Sequence, residues 1–286
     1  MTERIDAHHH LWRYHPAEYA WIDDTMAVLK RNFLPRDLEK EIREVGIDGT
    51  VAVQARQTWE ETNWLLAQAR EAPFIRGVVG WAPIASESFP EELERLRGEP
   101  KLKGLRHVIQ DEKDPRFMDG ADFNRGIAAL RGLGLVYDIL IFEQQLSATI
   151  AFVDRHPNQV FVLDHVAKPR IGAKLLDPWR SQIAELARRK NIYCKLSGMV
   201  TEANWQDWRV ADLRPYFDVV LGAFGPERIM YGSDWPVCLL AASYRKWFAT
   251  MNLLIEPLSK TEKEMILGGT ATKAYSLTAS KREADR

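Results

Sequence analysis

Short apolar runs alternate with longer amphipathic stretches along nearly the whole chain. The runs fall at 4–10 (RIDAHHH), 49–55, 74–82, 102–109, 135–142, 159–167, 192–198 and 228–235. Between them, helical spacing of apolar positions predicts helices at 35–45, 59–71, 88–97, 119–131, 144–156, 178–190, 212–223 and 242–255. Pro35 opens the first of these and Gly46 follows its end, the residues expected just inside a helix start and just past a helix stop. Parallel strands need a long crossover between them, and strand–helix alternation supplies one each time. Several runs are almost wholly apolar, as strands covered on both faces should be. The pattern predicts an α/β fold, a single-domain (β/α)8 TIM-type barrel over residues 1–277. An open doubly wound sheet is the alternative. The charged residues 278–286 are expected to form a frayed tail.

Segment 11–34 breaks the rhythm. It is long for a strand-to-helix connection and carries Trp12, Tyr14, Tyr19 and Trp21. It follows the first strand, at the end of a barrel where active sites lie, so it reads as a pocket wall or lid; a self-packed surface loop is the plainer reading.

Composition changes this picture little. Lys and Arg total 39 against 40 Asp and Glu, a balance that gives no electrostatic reason to expect nucleic acid or an anionic membrane as partner. No apolar run approaches the roughly 20 residues that span a bilayer. The start of the chain lacks a basic-then-apolar signal pattern, and Cys194 and Cys238 stand apart from any CxxC pair. A cytoplasmic protein is expected.

Chemistry gathers at the strand ends. In Asp6-x-His8-x-His10, strand alternation places the three side chains on one face and His9 on the other. HxH alone is weak, and three consecutive histidines also fit a surface cluster. His165 closes the sixth run and Asp234 the eighth; buried in apolar strands, both need partners or a ligand. Gln54, His107 and Lys195 end the second, fourth and seventh runs. Each fits equally a satisfied core residue, but a barrel would draw all of them around one mouth. His15 and His156 lack such a setting.

The segments IDAHHHLW at 5–12, GLRH at 104–107, LDHVAKP at 163–169, KLSG at 195–198 and YGSDWP at 231–236 together resemble the amidohydrolase superfamily. The similarity runs to GGTATKAYSL at 268–277 and lies in the amidohydrolase-2 branch, with sugar lactonases of the L-fuconolactonase and L-rhamnonolactonase kind and, more distantly, 2-pyrone-4,6-dicarboxylate lactonase. The resemblance implies a cytoplasmic lactonase of carbohydrate catabolism, with His8 and His10 as the first-strand pair, His165 as the sixth-strand histidine and Asp234 as the catalytic aspartate. Two-metal members also need a lysine ending strand four or five and a histidine ending strand five. Here Lys103 lies near the start of the fourth run and Leu140-Ile141-Phe142 ends the fifth. The expected cofactor is therefore none, or one weakly held divalent ion, zinc before others, on His8, His10 and Asp234.

Lactone hydrolysis needs an activated water, a polarised carbonyl and a proton for the leaving alkoxide. Asp234 is the candidate base, and His8, His10 and His165, or a metal on them, polarise the carbonyl. Substrate contacts are expected from Gln54, Arg56, His107, Trp21, Trp81 and Trp235. Arg106 and His107 face opposite ways, and His107, aligned with Leu105 and Ile109, is the one expected in the pocket. The partner is a small sugar lactone, taken by a monomer or homo-oligomer. A metal-dependent decarboxylase, a pyrone-dicarboxylate lactonase and a non-catalytic carbohydrate-binding barrel are the competing readings. The mixed charge of 110–118 (QDEKDPRFM) speaks against a dicarboxylate substrate, and the absence of a basic surface against a nuclease.

Overall fold

The computed structural model describes residues 2–278. Its strands are β1 (Ile5–His9), β2 (Gly49–Val53), β3 (Ile75–Gly80), β4 (Leu102–Val108), β5 (Val136–Leu140), β6 (Phe161–Leu163), β7 (Ile192–Leu196) and β8 (Ile229–Tyr231). All seven successive pairings are parallel and run in chain order. The ring closes where His9 bridges Trp235: the His10 amide donates to the Trp235 carbonyl at 2.6 Å and the Asp234 amide to that of His8 at 2.8 Å. This is the (β/α)8 barrel that the alternation predicts.

The eight crossover helices are α1 (Pro35–Val45), α2 (Trp59–Glu71), α3 (Phe89–Arg95), α4 (Ala121–Leu130), α5 (Leu146–Arg155), α6 (Trp179–Leu186), α7 (Val210–Phe224) and α8 (Tyr244–Leu254). Their signals are local ones. In α1, Pro35 sits in the first turn, Leu38 and Ile42 are buried one turn apart, and Gly46 takes the left-handed conformation (φ 73°) that lets its amide reach the Ile42 carbonyl. Two further helices, α9 (Lys260–Glu264) and α10 (Thr270–Ala274), lie where the periodicity predicts none. Most of the expected frayed tail, 279–286, lies outside the described residues.

Two apolar layers result. The larger joins the outer strand faces to the helices; the smaller fills the barrel interior with Ile5, Ala7, Val51, Val79, Val162 and Met230. The segment after α10 stops the amino end of the barrel: Lys103, near the start of β4, donates to the Ser276 carbonyl. Lys103 is thus at the opposite end from the strand-end histidines, while Leu140 lines the cavity at their end.

Segment 11–34 packs chiefly on itself. Trp12 pairs with Phe33 through mutual backbone hydrogen bonds of 2.9 Å and is fully buried beside Tyr19. Trp21 alone of its tryptophans is exposed (42%), and it stands at the mouth of the barrel.

Candidate active site

A cavity of about 280 Å³ opens at the carboxyl ends of the strands, near the lower limit of ligand pockets (~300 Å³). His10, His165 and Asp234 line it, with Arg106, Val108, Gln110 and Asp111 from β4 and the turn after it. Trp21, Ala55 and Gln57 form another side, and Leu140, Lys168 and Val237 complete the wall.

The backbone at β1 explains how its histidines get there. Ile5 and Ala7 pack among the interior valines, and the pairing with β2 then slips between Asp6 and His9. The slip turns His8 inward after Ala7. Asp6 consequently does not share the face of His8: its carboxylate accepts from Tyr244 Oη on α8 at 2.9 Å and from the Ser233 amide at 2.8 Å. A local bulge, invisible to strict alternation, overrides the expected grouping.

Asp234 Oδ1 is the meeting point. It lies 3.4 Å from His10 Nε2, 3.7 Å from His8 Nε2 and 4.0 Å from His165 Nε2. His10 Nδ1 is 2.8 Å from the Val53 carbonyl, which can only accept, so Nδ1–H donates there and Nε2 is aimed at Asp234. His165 is set by its other nitrogen, 2.9 Å from Ser197 Oγ. Two motif glycines make room. A Cβ on Gly198 (φ 66°) would come within 2.7 Å of the His165 ring, and one on Gly232 within 2.8 Å of His8 Cβ. Residues His165–Lys168 form a left-handed turn without glycine, φ 48–60°, held where Trp179 Nε1 donates to the Val166 carbonyl at 2.8 Å. Such a turn is costly for L-residues; here it aims both His165 and Lys168 into the cavity.

Burial governs the protonation states. It drives His8 far below the usual histidine range, with the Lys195 charge adding to the effect, and His165 down to about 4. Burial alone would raise Asp234, yet the facing His165 and His10 hold it below its ordinary value. At neutral pH the Asp234 carboxylate therefore faces His8 and His165 as neutral imidazoles.

Beneath it lies a buried charge quartet. Lys195 Nζ is 2.5 Å from Asp138 Oδ2 and 3.0 Å from Asp164 Oδ1, and Arg106 Nη1 is 2.8 Å from Asp164 Oδ2. Tyr275 Oη donates to the Asp138 carboxylate, 2.8 Å from its nearer oxygen. Two cations meet two anions, which is how charge is tolerated away from water.

The other expected contacts divide. Gln54 brackets Arg106, its carbonyl accepting from Nη2 and its Nε2 donating to the Arg106 carbonyl at 3.2 Å. Arg106, not His107, reaches the cavity. Leu105 and Ile109, which share the His107 side of β4, pack in the outer layer, so that face looks toward the helices. His107 stacks on Phe117 and meets Glu112 at 2.6 Å, and Trp81 donates to its other nitrogen at 3.4 Å. Trp235 is buried against Phe33, and Arg56 pairs with Glu18 at 2.6 Å over Tyr19. None of Gln54, His107, Trp81, Trp235 or Arg56 lines the cavity, and Trp21 alone of the expected contacts does. Lys168, Asp138 and Asp164 went unpredicted, although Asp164, two residues after the inward Val162, could have been read from alternation.

His8 Nε2, His10 Nε2 and Asp234 Oδ1 also form a candidate metal site. Their separations, 3.2, 3.4 and 3.7 Å, bracket the ~3.3 Å expected between ligands at tetrahedral zinc. The donor set fits a single divalent ion. His8, Asp164 and His165 form a second cluster, sharing His8.

A barrel whose strand ends converge on one carboxylate and three imidazoles defines a hydrolase-type centre. The chain belongs to the amidohydrolase family, whose model matches residues 5–277. It is 44% identical over 285 residues to an L-fucono-1,5-lactonase of Burkholderia multivorans, covering 96% of each chain, and 35% identical over 279 residues to one of Burkholderia ambifaria, again covering 96% of each. A crystal structure of an amidohydrolase from Burkholderia multivorans with bound zinc superposes with a TM-score of 0.93 at 44% identity, over 96% of this chain and all of that one.

Proposed function

We propose that this enzyme hydrolyses a sugar (aldono-) lactone to the aldonic acid. The carrying observation is Asp234, held ionised with its Oδ1 facing the Nε2 atoms of three buried histidines at the floor of a small cavity. At 3.7 and 4.0 Å, His8 and His165 are too far for direct hydrogen bonds to that oxygen, leaving space for a water or substrate oxygen between them.

Asp234 takes a proton from water as the oxygen adds to the lactone carbonyl. Imidazole N–H groups of His8 and His165 donate to the growing oxyanion, in a site where charge is poorly screened by solvent. On collapse, the ring carbon–oxygen bond breaks and Asp234 returns the proton to the departing ring oxygen. Lys168 stands at the wall to receive the product carboxylate. When bound on His8, His10 and Asp234, a divalent ion, zinc first, would polarise the carbonyl and acidify water; we propose that turnover does not require it.

The walls favour a neutral substrate. Arg106 is neutralised by Asp164, and Asp111 and Asp234 share the wall with Lys168, which leaves no surplus positive charge for a dicarboxylate. Trp21 offers a flat apolar surface to a sugar ring. Two buried free thiols, Cys194 and Cys238, suit a reducing cytoplasm. No helix among the described residues is long and apolar enough to cross a membrane.

The test is indicator-monitored hydrolysis of an aldonolactone panel, L-fucono-1,5-lactone included, with and without chelator. Turnover that survives chelation is the expected result. Sugar-induced thermal stabilisation without turnover of any lactone would establish a binding barrel instead.

A further inference from the structure

His8 occupies an unusual position between two groups of opposite demand. Its Nδ1 lies 3.1 Å from Lys195 Nζ, a donor, and 3.4 Å from Asp164 Oδ1, an acceptor. Lys195 already donates to Asp138 and is wholly buried. Asp164 Oδ1 has no aligned hydrogen-bond donor, although Lys195 Nζ is within ion-pair distance. Both alternatives at Nδ1 are thus available to one neutral ring.

The opposite nitrogen is constrained as well. His10 Nδ1–H donates to the Val53 carbonyl, and its Nε2 lies 3.2 Å from His8 Nε2. Two lone pairs cannot face each other at that distance without something positive between them. Either one ring supplies a proton from Nε2, and Lys195 facing His8 Nδ1 as a donor makes that ring His8, or a metal cation sits there.

We propose that Lys195 and Asp164 together make His8 a two-way group. With Lys195 donating to Nδ1, the His8 proton resides on Nε2, where it bonds His10 and turns to a substrate carbonyl. With Asp164 accepting from Nδ1–H, Nε2 is free to ligate a divalent ion together with His10 and Asp234. The proton changes nitrogen while the imidazole stays neutral, so one chain serves with or without metal. Lys195, 3.1 Å from a protonated Nδ1, opposes the metal-holding form; it acts as a positioning residue. The assignment rests on the lactonase reading only for what the Nε2 proton does.

The experiment is nitrogen-detected NMR of histidine tautomers in the full chain, with His8 assigned from the spectrum of H8Q. In chelated protein His8 should carry its proton on Nε2, and on titration with zinc alone it should move to Nδ1. A proton on Nδ1 before zinc, or on Nε2 after it, overturns the proposal. Zinc competition against a chromophoric chelator gives a second arm: K195M should bind about tenfold more tightly, and an unchanged or weaker affinity in folded variant overturns it. Lactone turnover on the same wild-type sample separates the two readings. Turnover with the wrong tautomer sinks the switch alone, and the right tautomers without turnover sink the lactonase alone.

Discussion

Asp234 meets His8 by two routes, its amide donating to the His8 carbonyl at 2.8 Å and its Oδ1 standing 3.7 Å from the His8 Nε2. The first contact seams the last strand to the first; the second sets the reacting groups. Closing the barrel and assembling the site are the same event.

Asp234→Asn separates the two. The amide contact survives while the base is lost, so kcat should fall by about 10²–10⁴ with the fold retained. Steady-state kinetics beside circular dichroism checks this, and a near-normal rate would remove Asp234 from the mechanism.

Arg106 and His107 make a contrasting pair. Arg106→Met leaves buried Asp164 without its guanidinium, a loss of ~3–5 kcal/mol, and changes the cavity wall, so melting temperature and turnover should both drop. His107→Phe keeps the stack on Phe117 and should leave kcat within about twofold. Equal loss of activity in both variants would contradict the placement of His107 outside the cavity.

Acid should destabilise the protein through its histidines. His8, His9 and His165 all have folded pKa values below the unfolded 6.5, burial being the leading cause, with His9 near 3 and His165 near 4. The unfolded chain takes up protons first as pH falls below 6.5, so the stability present above that pH is lost toward 4. Asp6 and Asp138, raised by burial to about 6 from 3.8, and Glu61, raised by burial to about 7 from 4.5, act oppositely, gaining stability as pH falls across that interval. The carboxyls' gain is complete once pH reaches their unfolded values near 4, whereas His9 goes on losing stability toward 3 and the lowered Asp164 and Asp234 begin to lose theirs. Calorimetry should show the melting temperature nearly level from pH 7 to about 4.5 and falling by ~5 °C or more from there to about 3; a profile still flat or rising at pH 3 would refute the balance.

Tyr275→Phe removes one hydroxyl from the buried quartet. Asp138 then loses a donor it cannot replace with water, at a cost of ~1–3 kcal/mol. Chemical denaturation should register the loss with m unchanged, whereas an unshifted midpoint would mean that Asp138 is satisfied by other groups.

Much of the architecture was legible because its signals are local. Pro35 and Gly46 bound α1, and α2 runs from Trp59 to Glu71 as its periodicity predicts. His8, His10, His165 and Asp234 were found because ionisable groups at the ends of apolar strands stand out. What escaped depends on closure. Strands apolar on both faces do not announce which face looks inward, hence the reversal of Arg106 and His107. The slip after Asp6 and the glycine-free turn at His165–Lys168 are imposed by packing from Ser233, Tyr244 and Trp179. Asp138 on β5 and Asp164 just after β6 each read alone as an isolated polar residue, and only the closed barrel brings them to Lys195.

The Tyr275–Asp138 contact also sets an order of events during synthesis. A ribosome releases β5 well over a hundred residues before Tyr275, so Asp138 waits without its hydroxyl partner while the rest of the barrel is made. Chains emerge at ~5–20 residues per second, a delay of several seconds or more. Asp234 leaves the ribosome about forty residues ahead of Tyr275, so the nascent chain holds all its reacting groups before it holds the segment that stops the barrel beneath them.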